Sequence, residues 1–216
     1  MPYVILLPLC CMYLTGAFQA RFMKTHILLL CFLATSVYTV GQSWVKKYDR
    51  IDASNCGLAR VKKDGKFGFV NEEGKVIVPL IYSEATAFSE DKGAVAVNGK
   101  WGFVDKNGNE FVKPQYDDVY SFHEGLAVVI NNDTYGFIDS TGKIAIPIHF
   151  LRAGSFSDGI APVCNKKGLW GYIDQNGNEV IACRFHYATT FTDSLGRVVL
   201  NGIRYSIDRA GNIVKQ

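Results

Sequence analysis

No acidic residue precedes Asp49, although the whole chain carries 20 Asp and Glu against 23 Lys and Arg. The chain also lacks an unbroken apolar run of the roughly 18–20 residues that a membrane-spanning helix requires. Basic residues form no run and the formal net charge is only +3, so nothing indicates a nucleic-acid partner. The acid-poor segment does contain two shorter apolar stretches.

The second of these stretches has the composition of a secretory signal peptide. It starts with Met23 and the basic residue Lys24 and has an apolar centre over 27–34. It ends in a stretch that contains small residues, as far as Gly41. We predict an upstream extension over 1–22, a signal peptide over 23–41 and a mature domain over 42–216. The alternative is an uncleaved anchor built from both stretches. A signal peptide implies export to the periplasm or the outside, with membrane contact only through this segment.

Cysteine and histidine are too few and too scattered to indicate a metal site. The mature part would hold Cys56, Cys164 and Cys183 with no CxxC spacing, so we expect neither a zinc site nor a cofactor. An odd number of cysteines leaves at least one unpaired, and we expect buried free thiols. Without Arg21 and Lys24, 21 of the 23 basic residues face 20 acidic ones, so the mature protein is close to neutral.

The strongest feature of the sequence is an internal repeat. Four stretches align: "KFGFVNEEG", "KWGFVDKNG", "TYGFIDSTG" and "LWGYIDQNG". Each places a large ring directly before a glycine, in the pairs Phe67 and Gly68, Trp101 and Gly102, Tyr135 and Gly136, and Trp170 and Gly171. The glycines lie 34, 34 and 35 residues apart. A degenerate fifth copy, "IRYSIDRAG", has Arg204 in place of the ring.

Each unit reads as about three short antiparallel strands. "LAVVI" and "YGFID" are rich in β-branched and aromatic residues, and the turn "DSTG" between strands has Asp first and Gly last. The ring before each glycine is expected to be a packing residue, because Phe, Trp and Tyr all occur there. The empty glycine position is expected to admit another aromatic ring against the backbone.

These features resemble the WG-repeat (KWG-repeat) proteins, which are common in bacteria. The resemblance rests on "KWGFVDKNG", "LWGYIDQNG", the "PQYDDV" step and "FHEGLA", and covers roughly 48–214. Departures are Phe67 and Tyr135 in place of Trp, Phe150 and Phe185 in place of Tyr, and the eroded last unit. The resemblance implies an all-β array and, in many members, export. It implies no defined activity.

The arrangement of the units admits two forms. The first unit is partial, and the two incomplete ends joined would make one repeat, which is compatible with a closed propeller-like ring. Arg204 at a ring position is instead typical of a solvent-facing cap. We therefore expect an open, curved array and keep the closed ring as the alternative.

Two groups of side chains could carry chemistry, and each has a plainer interpretation. The turns "DKNGN" and "DQNGN" are similar to the start of a calcium loop, but Tyr116 and Phe185 occupy the places of the required distal acid. Asp117 and Asp118 lie near His123 in sequence, where a solvated turn is the simpler interpretation. No nucleophile motif or phosphate-binding glycine loop is present.

The sequence therefore predicts an exported, non-enzymatic and monomeric repeat protein that binds or scaffolds an unidentified protein or envelope polymer. An enzyme with a hydrolase-like site grafted on the array is the alternative, although such a site favours a non-repeated insertion. The largest irregularity in the repeat is a single residue between Phe156 and Trp170. A structural spacer without a ligand is the third possibility.

The first prediction concerns the start of the exported protein. N-terminal sequencing of secreted material is expected to show a protein that begins near Gln42, because the small residues of the signal-peptide cleavage site lie just before it. Recovery of Met1 or Pro2 at the terminus would contradict this prediction.

Overall fold

The structure, a computed structural model, describes residues 44–214; the predicted extension and signal peptide lie outside the described residues. A 3-10 helix, Val45–Lys47, precedes five four-stranded antiparallel sheets. The predicted all-β repeat fold is confirmed. Within 44–214, no helix has the length and apolar character needed to cross a membrane.

The five sheets follow one another along the chain, each with its strands in sequential order. Sheet 1 contains β1 (Arg50–Ile51), β2 (Leu58–Lys63), β3 (Lys66–Asn71) and β4 (Val76–Tyr82). Sheet 2 contains β5 (Glu84–Ala85), β6 (Lys92–Val97), β7 (Lys100–Asp105) and β8 (Glu110–Tyr116). Sheet 3 contains β9 (Asp118–Val119), β10 (Leu126–Asn131), β11 (Thr134–Asp139) and β12 (Ile144–Phe150). Sheet 4 contains β13 (Arg152–Ala153), β14 (Ile160–Cys164), β15 (Trp170–Asp174) and β16 (Glu179–Phe185), and sheet 5 contains β17 (Tyr187–Ala188), β18 (Gly196–Leu200), β19 (Ile203–Ile207) and β20 (Ile213–Val214).

Each sheet begins with a two-residue strand that was not predicted. In sheet 3, for example, β9 pairs with β10 through Val119 and Val129. The sequence predicted about three strands per unit, and these correspond to the second, third and fourth strands of each sheet. A strand of two residues is too short to show the alternation by which strands are recognised.

The length of the turn between the second and third strands explains why one repeat step is 35 residues and the others are 34. In sheet 2 this turn is Asn98 and Gly99, both with positive φ, as a two-residue type I′ turn requires. In sheet 4 the turn is longer, and the N–H of Gly168 donates to the carbonyl of Asn165. The extra residue of the 35-residue step therefore lies in this turn and leaves the strands in register.

The glycine after each ring lies directly beneath the fourth strand of its sheet. Trp101 pairs with Tyr116 and Phe103 pairs with Val112, so two residues of β7 oppose four of β8. A Cβ on Gly102 would come within 2.3 Å of the Val112 carbonyl oxygen. The expectation that an aromatic ring fills this space is therefore wrong, because the bulged backbone of β8 occupies it.

Aromatic pairs join each sheet to the next. Phe103 on β7 meets Phe122, which precedes β10, with ring centroids 5.0 Å apart at 71°. The equivalent pairs are Phe69 and Phe88 at 4.7 Å, Phe137 and Phe156 at 5.0 Å, and Tyr172 and Phe191 at 5.0 Å. Such edge-to-face pairs contribute about 0.5–1.5 kcal/mol beyond area burial. The hydrophobic core therefore lies between successive sheets.

At the N-terminal end, Trp44 takes the place of a preceding sheet. The turn glycine of a later repeat packs against the fourth strand before it, as Gly108 does against the Ile77 carbonyl oxygen. In sheet 1 the equivalent Gly74 packs against the Trp44 indole. Trp44 also covers the cluster formed by Ala59 and Val61.

The array is open. Among the described residues, β1 pairs only with β2 and β20 pairs only with β19. The ring alternative required the last strand to pair beside the first segment, and these strands do not do so. Sheet 1 is covered by Trp44 on its outward side, whereas no described residue forms a sheet beyond sheet 5.

The three described cysteines are free, but they are not equally buried. Cys164 is buried and Cys183 is half-buried, whereas Cys56 is exposed. The expectation of buried thiols is therefore wrong for Cys56. This residue lies in a surface turn with positive φ, where the equivalent position of the next repeat is the acidic residue Glu90.

Removal of one inter-sheet ring is predicted to weaken the whole array. Phe122 is 0% exposed, so Phe122→Ala should lower the free energy of unfolding by about 3–5 kcal/mol. Phe122→Leu should lower it less, and Ile81→Ala, at a side chain that is 56% exposed, should change it by about 0.5 kcal/mol or less. Urea denaturation measures all three, and equal midpoints for Phe122→Ala and the parent would contradict the packing scheme.

Candidate functional site

One position in each sheet keeps its backbone geometry but changes its side chain from repeat to repeat. It directly follows the first strand, and its N–H donates to a carbonyl on the second strand at 2.9–3.0 Å. Its occupants in sheets 1 to 5 are Asp52, Thr86, Tyr120, Gly154 and Thr189, and the partners on the second strand are Arg60, Ala94, Val128, Pro162 and Arg197. A constant framework with changing side chains is what a binding surface requires.

In sheets 1, 2 and 5 the side chain at this position accepts a hydrogen bond from its partner residue. In sheet 1, Asp52 accepts a hydrogen bond from Arg60 Nε at 2.6 Å, and a second from Arg50. Burial acts to raise the pKa of Asp52, but the hydrogen bonds from Arg60 and Arg50 outweigh it and hold the pKa below its ordinary value. In sheet 5, the Thr189 hydroxyl accepts from the N–H of Arg197 at 3.2 Å.

Sheet 4 has neither the acceptor nor the donor of this hydrogen bond. Gly154 has no side-chain acceptor and Pro162 has no N–H to donate. A Cβ on Gly154 would lie 2.8 Å from Pro162 Cγ and 3.1 Å from the Thr190 hydroxyl oxygen. The absence of a side chain therefore allows Pro162 and Thr190 to approach each other across a cleft that both of them line.

This cleft has a volume of about 770 Å³ and touches three successive sheets. Its walls include Tyr120 of sheet 3, Gly154, Pro162 and Trp170 of sheet 4, and Tyr187, Thr189, Thr190, Thr192, Asp193, Leu195, Arg197 and Ser206 at sheet 5. Since Tyr120, Gly154 and Thr189 occupy equivalent positions, the edges formed by the first strands converge here. A volume of this size is typical of ligand pockets.

Aromatic rings and hydroxyl groups dominate the walls of the cleft. The rings of Trp170 and Tyr187 have centroids 5.9 Å apart at 59°, and Tyr187 is 52% exposed. Burial is the main cause that raises the pKa of Tyr120, which therefore stays a neutral phenol. Exposed aromatic faces beside hydroxyl groups suit a ligand with both apolar and polar parts.

A second cavity of about 650 Å³ adjoins the cleft on sheet 5, and the two share Tyr187, Thr189, Arg197 and Ser206. Strand register places Arg197 opposite Ser206 and Val199 opposite Arg204, so these four side chains lie on one side of sheet 5. We call this side the open face. The other side, with Val198 and Ile207, packs against sheet 4.

The open face is cationic. Arg197 and Arg204 are both exposed, and within 44–214 neither guanidinium forms an ion pair. At the equivalents of Ser206, sheets 1 to 4 have Phe69, Phe103, Phe137 and Tyr172, which are buried under the next sheet. Sheet 5 therefore lacks the ring that would hold a following sheet.

The eight residues singled out as repeat positions lie at the sheet interfaces. Gly68, Gly102, Gly136 and Gly171 lie under the fourth strands. Tyr135 is buried, whereas Phe67, Trp101 and Trp170 are half-buried and pack against the clusters between sheets. Trp170 also lines the cleft, a role that its repeat position did not indicate.

The carboxylates considered for catalysis or calcium binding each accept hydrogen bonds from nearby groups. Asp117 accepts hydrogen bonds from Lys100 Nζ and from the N–H of Asn132, whereas Asp118 accepts from the N–H of Val119. The Asp105 carboxylate, considered for calcium, accepts from the N–H groups of Asn107 and Asn109 and from the Asn109 amide. Within 44–214, no three His, Cys, Asp or Glu side chains cluster as metal ligands would.

The repeat geometry agrees with a family comparison. A model of the "WG containing repeat" matches residues 41–67, 67–101, 101–135, 135–169 and 170–202. The chain belongs to the WG-repeat family. No curated protein matches this WG-repeat chain.

Solved structures resemble the WG-repeat array at low sequence identity. The computationally designed Ika8 protein has a TM-score of 0.50 and 16% identity, over 76% of this chain and 59% of its own. BamB from Moraxella catarrhalis has a TM-score of 0.46 and 17% identity, over 76% and 58%. The WD40 β-propeller domain of Doa1 has a TM-score of 0.40 and 10% identity, over 78% and 68%. The chain spans less than two thirds of Ika8 and BamB, and the likeness concerns the fold alone.

The turn carboxylates predict an acid-sensitive stability. Hydrogen bonds from Asn178 hold the pKa of Asp174 below its ordinary value. The stability that Asp174 contributes is therefore present above the unfolded pKa of about 3.9 and is lost as the pH falls through the lower folded pKa. Asp174→Asn, which keeps an acceptor but no charge, should flatten the dependence of the urea midpoint on pH below about 4.

The reciprocal variant is the control. At the equivalent turn position of sheet 1, Asn71 Oδ1 already accepts from the N–H of Lys75 at 2.9 Å. Asn71→Asp should therefore steepen the acid dependence that Asp174→Asn flattens. Identical pH profiles for the parent and both variants would show that these turn carboxylates do not govern acid stability.

Proposed function

We propose that the mature chain is an exported, non-enzymatic binding module whose ligand occupies the cleft along the first strands of sheets 3 to 5. The ligand is a protein or an envelope polymer. The observation that carries this proposal is the cleft itself, where Tyr120, Trp170 and Tyr187 converge with Arg197 and several hydroxyl groups. Export rests on the signal-peptide composition of residues 23–41.

The form of the array supports binding at this place. Stacked sheets provide a rigid scaffold, and side chains at its edges can change without disturbing the core. Gly154 and Pro162 illustrate this, because they remove a hydrogen bond seen in sheets 2 and 5 and keep the backbone pairing. Sheet 4 thus differs at this position from sheets 1, 2 and 5, where the side chain accepts a hydrogen bond from its partner residue.

The use of the acidic side chains favours binding over catalysis. Asp117, Asp105 and Asp174 each accept at least two hydrogen bonds from nearby groups. A general acid or base requires a carboxyl group that can exchange a proton with a substrate. Carboxylates that stabilise turns are poorly suited to that role.

The experiment is a pull-down of the bacterial envelope fraction with immobilised residues 42–216. The parent should retain a saturable component, and Tyr187→Ala and Arg197→Ala should each reduce its retention several-fold, because both side chains line the cleft. Ile81→Ala, an exposed change on sheet 1, should retain it fully. A parent that retains nothing supports the spacer, and full retention by both cleft variants shows that binding occurs elsewhere.

A further inference from the structure

Successive repeats hold each other through a carboxylate in one turn and main-chain N–H groups in the next. Glu90 accepts from the N–H groups of Glu124 and Gly125 at 2.6 and 2.9 Å. Glu124 accepts from the N–H of Gly159 at 2.9 Å, and Asp158 accepts from the N–H of Ser194 at 3.1 Å. The same contact therefore recurs at three consecutive junctions.

Two other side chains bind the main chain of the following repeat, each at one junction. The Ser89 hydroxyl donates to the carbonyl of Phe122 at 2.8 Å. At the first junction, the Arg60 guanidinium donates to the carbonyl of Ala85. The carboxylate, the hydroxyl and the guanidinium all bind main-chain groups of a turn or short strand.

Sheet 5 carries the same groups although no described sheet follows it. Thr192, Asp193 and Arg197 occupy the positions of Ser89, Glu90 and Arg60. The backbone φ of Asp193 is 52°, beside 50° for Glu90. All three side chains line the cleft. Within 44–214, no group donates a hydrogen bond to the Asp193 carboxylate.

We propose that the open face of sheet 5 and the adjoining cleft bind a turn of an acidic polypeptide that carries an aromatic side chain. This inference rests on the proposed binding function and specifies its partner. Asp193 accepts main-chain N–H groups of the turn, and Thr192 and Arg197 donate to its carbonyl groups. Each of these contacts has a counterpart within the chain: the carboxylate contact in sheets 2, 3 and 4, the hydroxyl contact in sheet 2 and the guanidinium contact in sheet 1.

The charge of the open face selects an acidic partner. Arg197 lies opposite Ser206, and Arg204 precedes Ser206 by two residues, so the two arginines are diagonal neighbours on one side of the sheet, a spacing within reach of long side chains. Within 44–214 neither has a carboxylate partner. Guanidinium groups bind carboxylates strongly and bidentately, so side-chain carboxylates of the partner complete this face.

An aromatic side chain on the partner fits the remaining space. At the four internal junctions, a ring before the second strand meets a ring at the equivalent of Ser206. Ser206 leaves this place open, and it lines both cavities. A ring entering there would contact Arg204 or Arg197, which favours a cation–π contact.

The chain itself supplies the probe. Residues 117–127, "DDVYSFHEGLA", hold three carboxylates, the ring of Phe122 and the turn that Glu90 grips in the folded protein. A cyclic peptide of this sequence should bind the parent 42–216 in calorimetry, and its affinity should fall as salt rises. The neutral peptide "NNVYSFHQGLA" should bind at least about tenfold more weakly.

Variants of the protein locate the contact. Arg197→Ala with Arg204→Ala should weaken the acidic peptide at least about tenfold and remove most of its salt dependence. Asp193→Asn should weaken the acidic and neutral peptides alike, because it acts on the main chain of the turn. Lys143→Ala, an exposed change on sheet 3, should bind as the parent does. Circular dichroism and urea midpoints establish that each variant is folded.

Failure of this inference is distinguishable from failure of the proposed function. If the parent retains an envelope component but does not bind the acidic peptide at millimolar concentration, the binding module stands and the polypeptide partner is wrong. Binding of an acidic oligosaccharide such as tri-galacturonate, lost in Arg197→Ala while the peptide stays unbound, likewise overturns the inference. If the Arg197 and Arg204 changes leave peptide binding intact, the peptide binds away from the open face. That result also overturns the inference.

Discussion

A ring from the third strand of one sheet meets a ring from the loop of the next, and the array depends on this contact. A four-stranded sheet with a two-residue first strand cannot bury both of its faces alone. The edge-to-face pair of Phe103 and Phe122 covers one face of sheet 2 with the loop of sheet 3. The glycine beside each third-strand ring serves the same end, because it lets the fourth strand cross closely over the sheet. Folding is therefore coupled between neighbours, as in other repeat proteins.

The outer faces of sheets 1 and 5, beyond which no further sheet is described, differ in their side chains. At sheet 1 the chain replaces the missing contact, because Trp44 packs against Gly74 as Ile77 packs against Gly108. At sheet 5 the contact surface itself is changed, and Ser206 stands where the other sheets have Phe or Tyr. Removing the ring and adding arginines keeps an uncovered face soluble. Among the described residues, the outer face of sheet 1 is thus covered by Trp44, whereas the open face of sheet 5 is polar.

The sequence predicted what is constant between the repeats and missed what differs. The 34-residue period, the Trp101 and Gly102 pair and the all-β fold follow from residues that recur, and the structure confirms them. The two-residue first strands carry no periodic signal. The cleft forms around Gly154 and Pro162, which lack the side-chain acceptor and the N–H donor that sheets 2 and 5 have at the equivalent positions. Alignment of the repeats discards such differences, and comparison of equivalent positions would have found them.

The proposed partner would reuse an internal contact of the array as an external one, with different contributions to its affinity. Inside the array, the polar grip of Glu90 on the turn after Phe122 acts together with buried rings. On the open face, Asp193 keeps the carboxylate of this contact, but Ser206 stands in place of the ring. Less apolar area is then available to a partner, and hydrogen bonds and charge contribute more of the affinity. Such contacts are individually modest and are screened by salt, so the proposed partner would bind the open face reversibly and more weakly as salt rises.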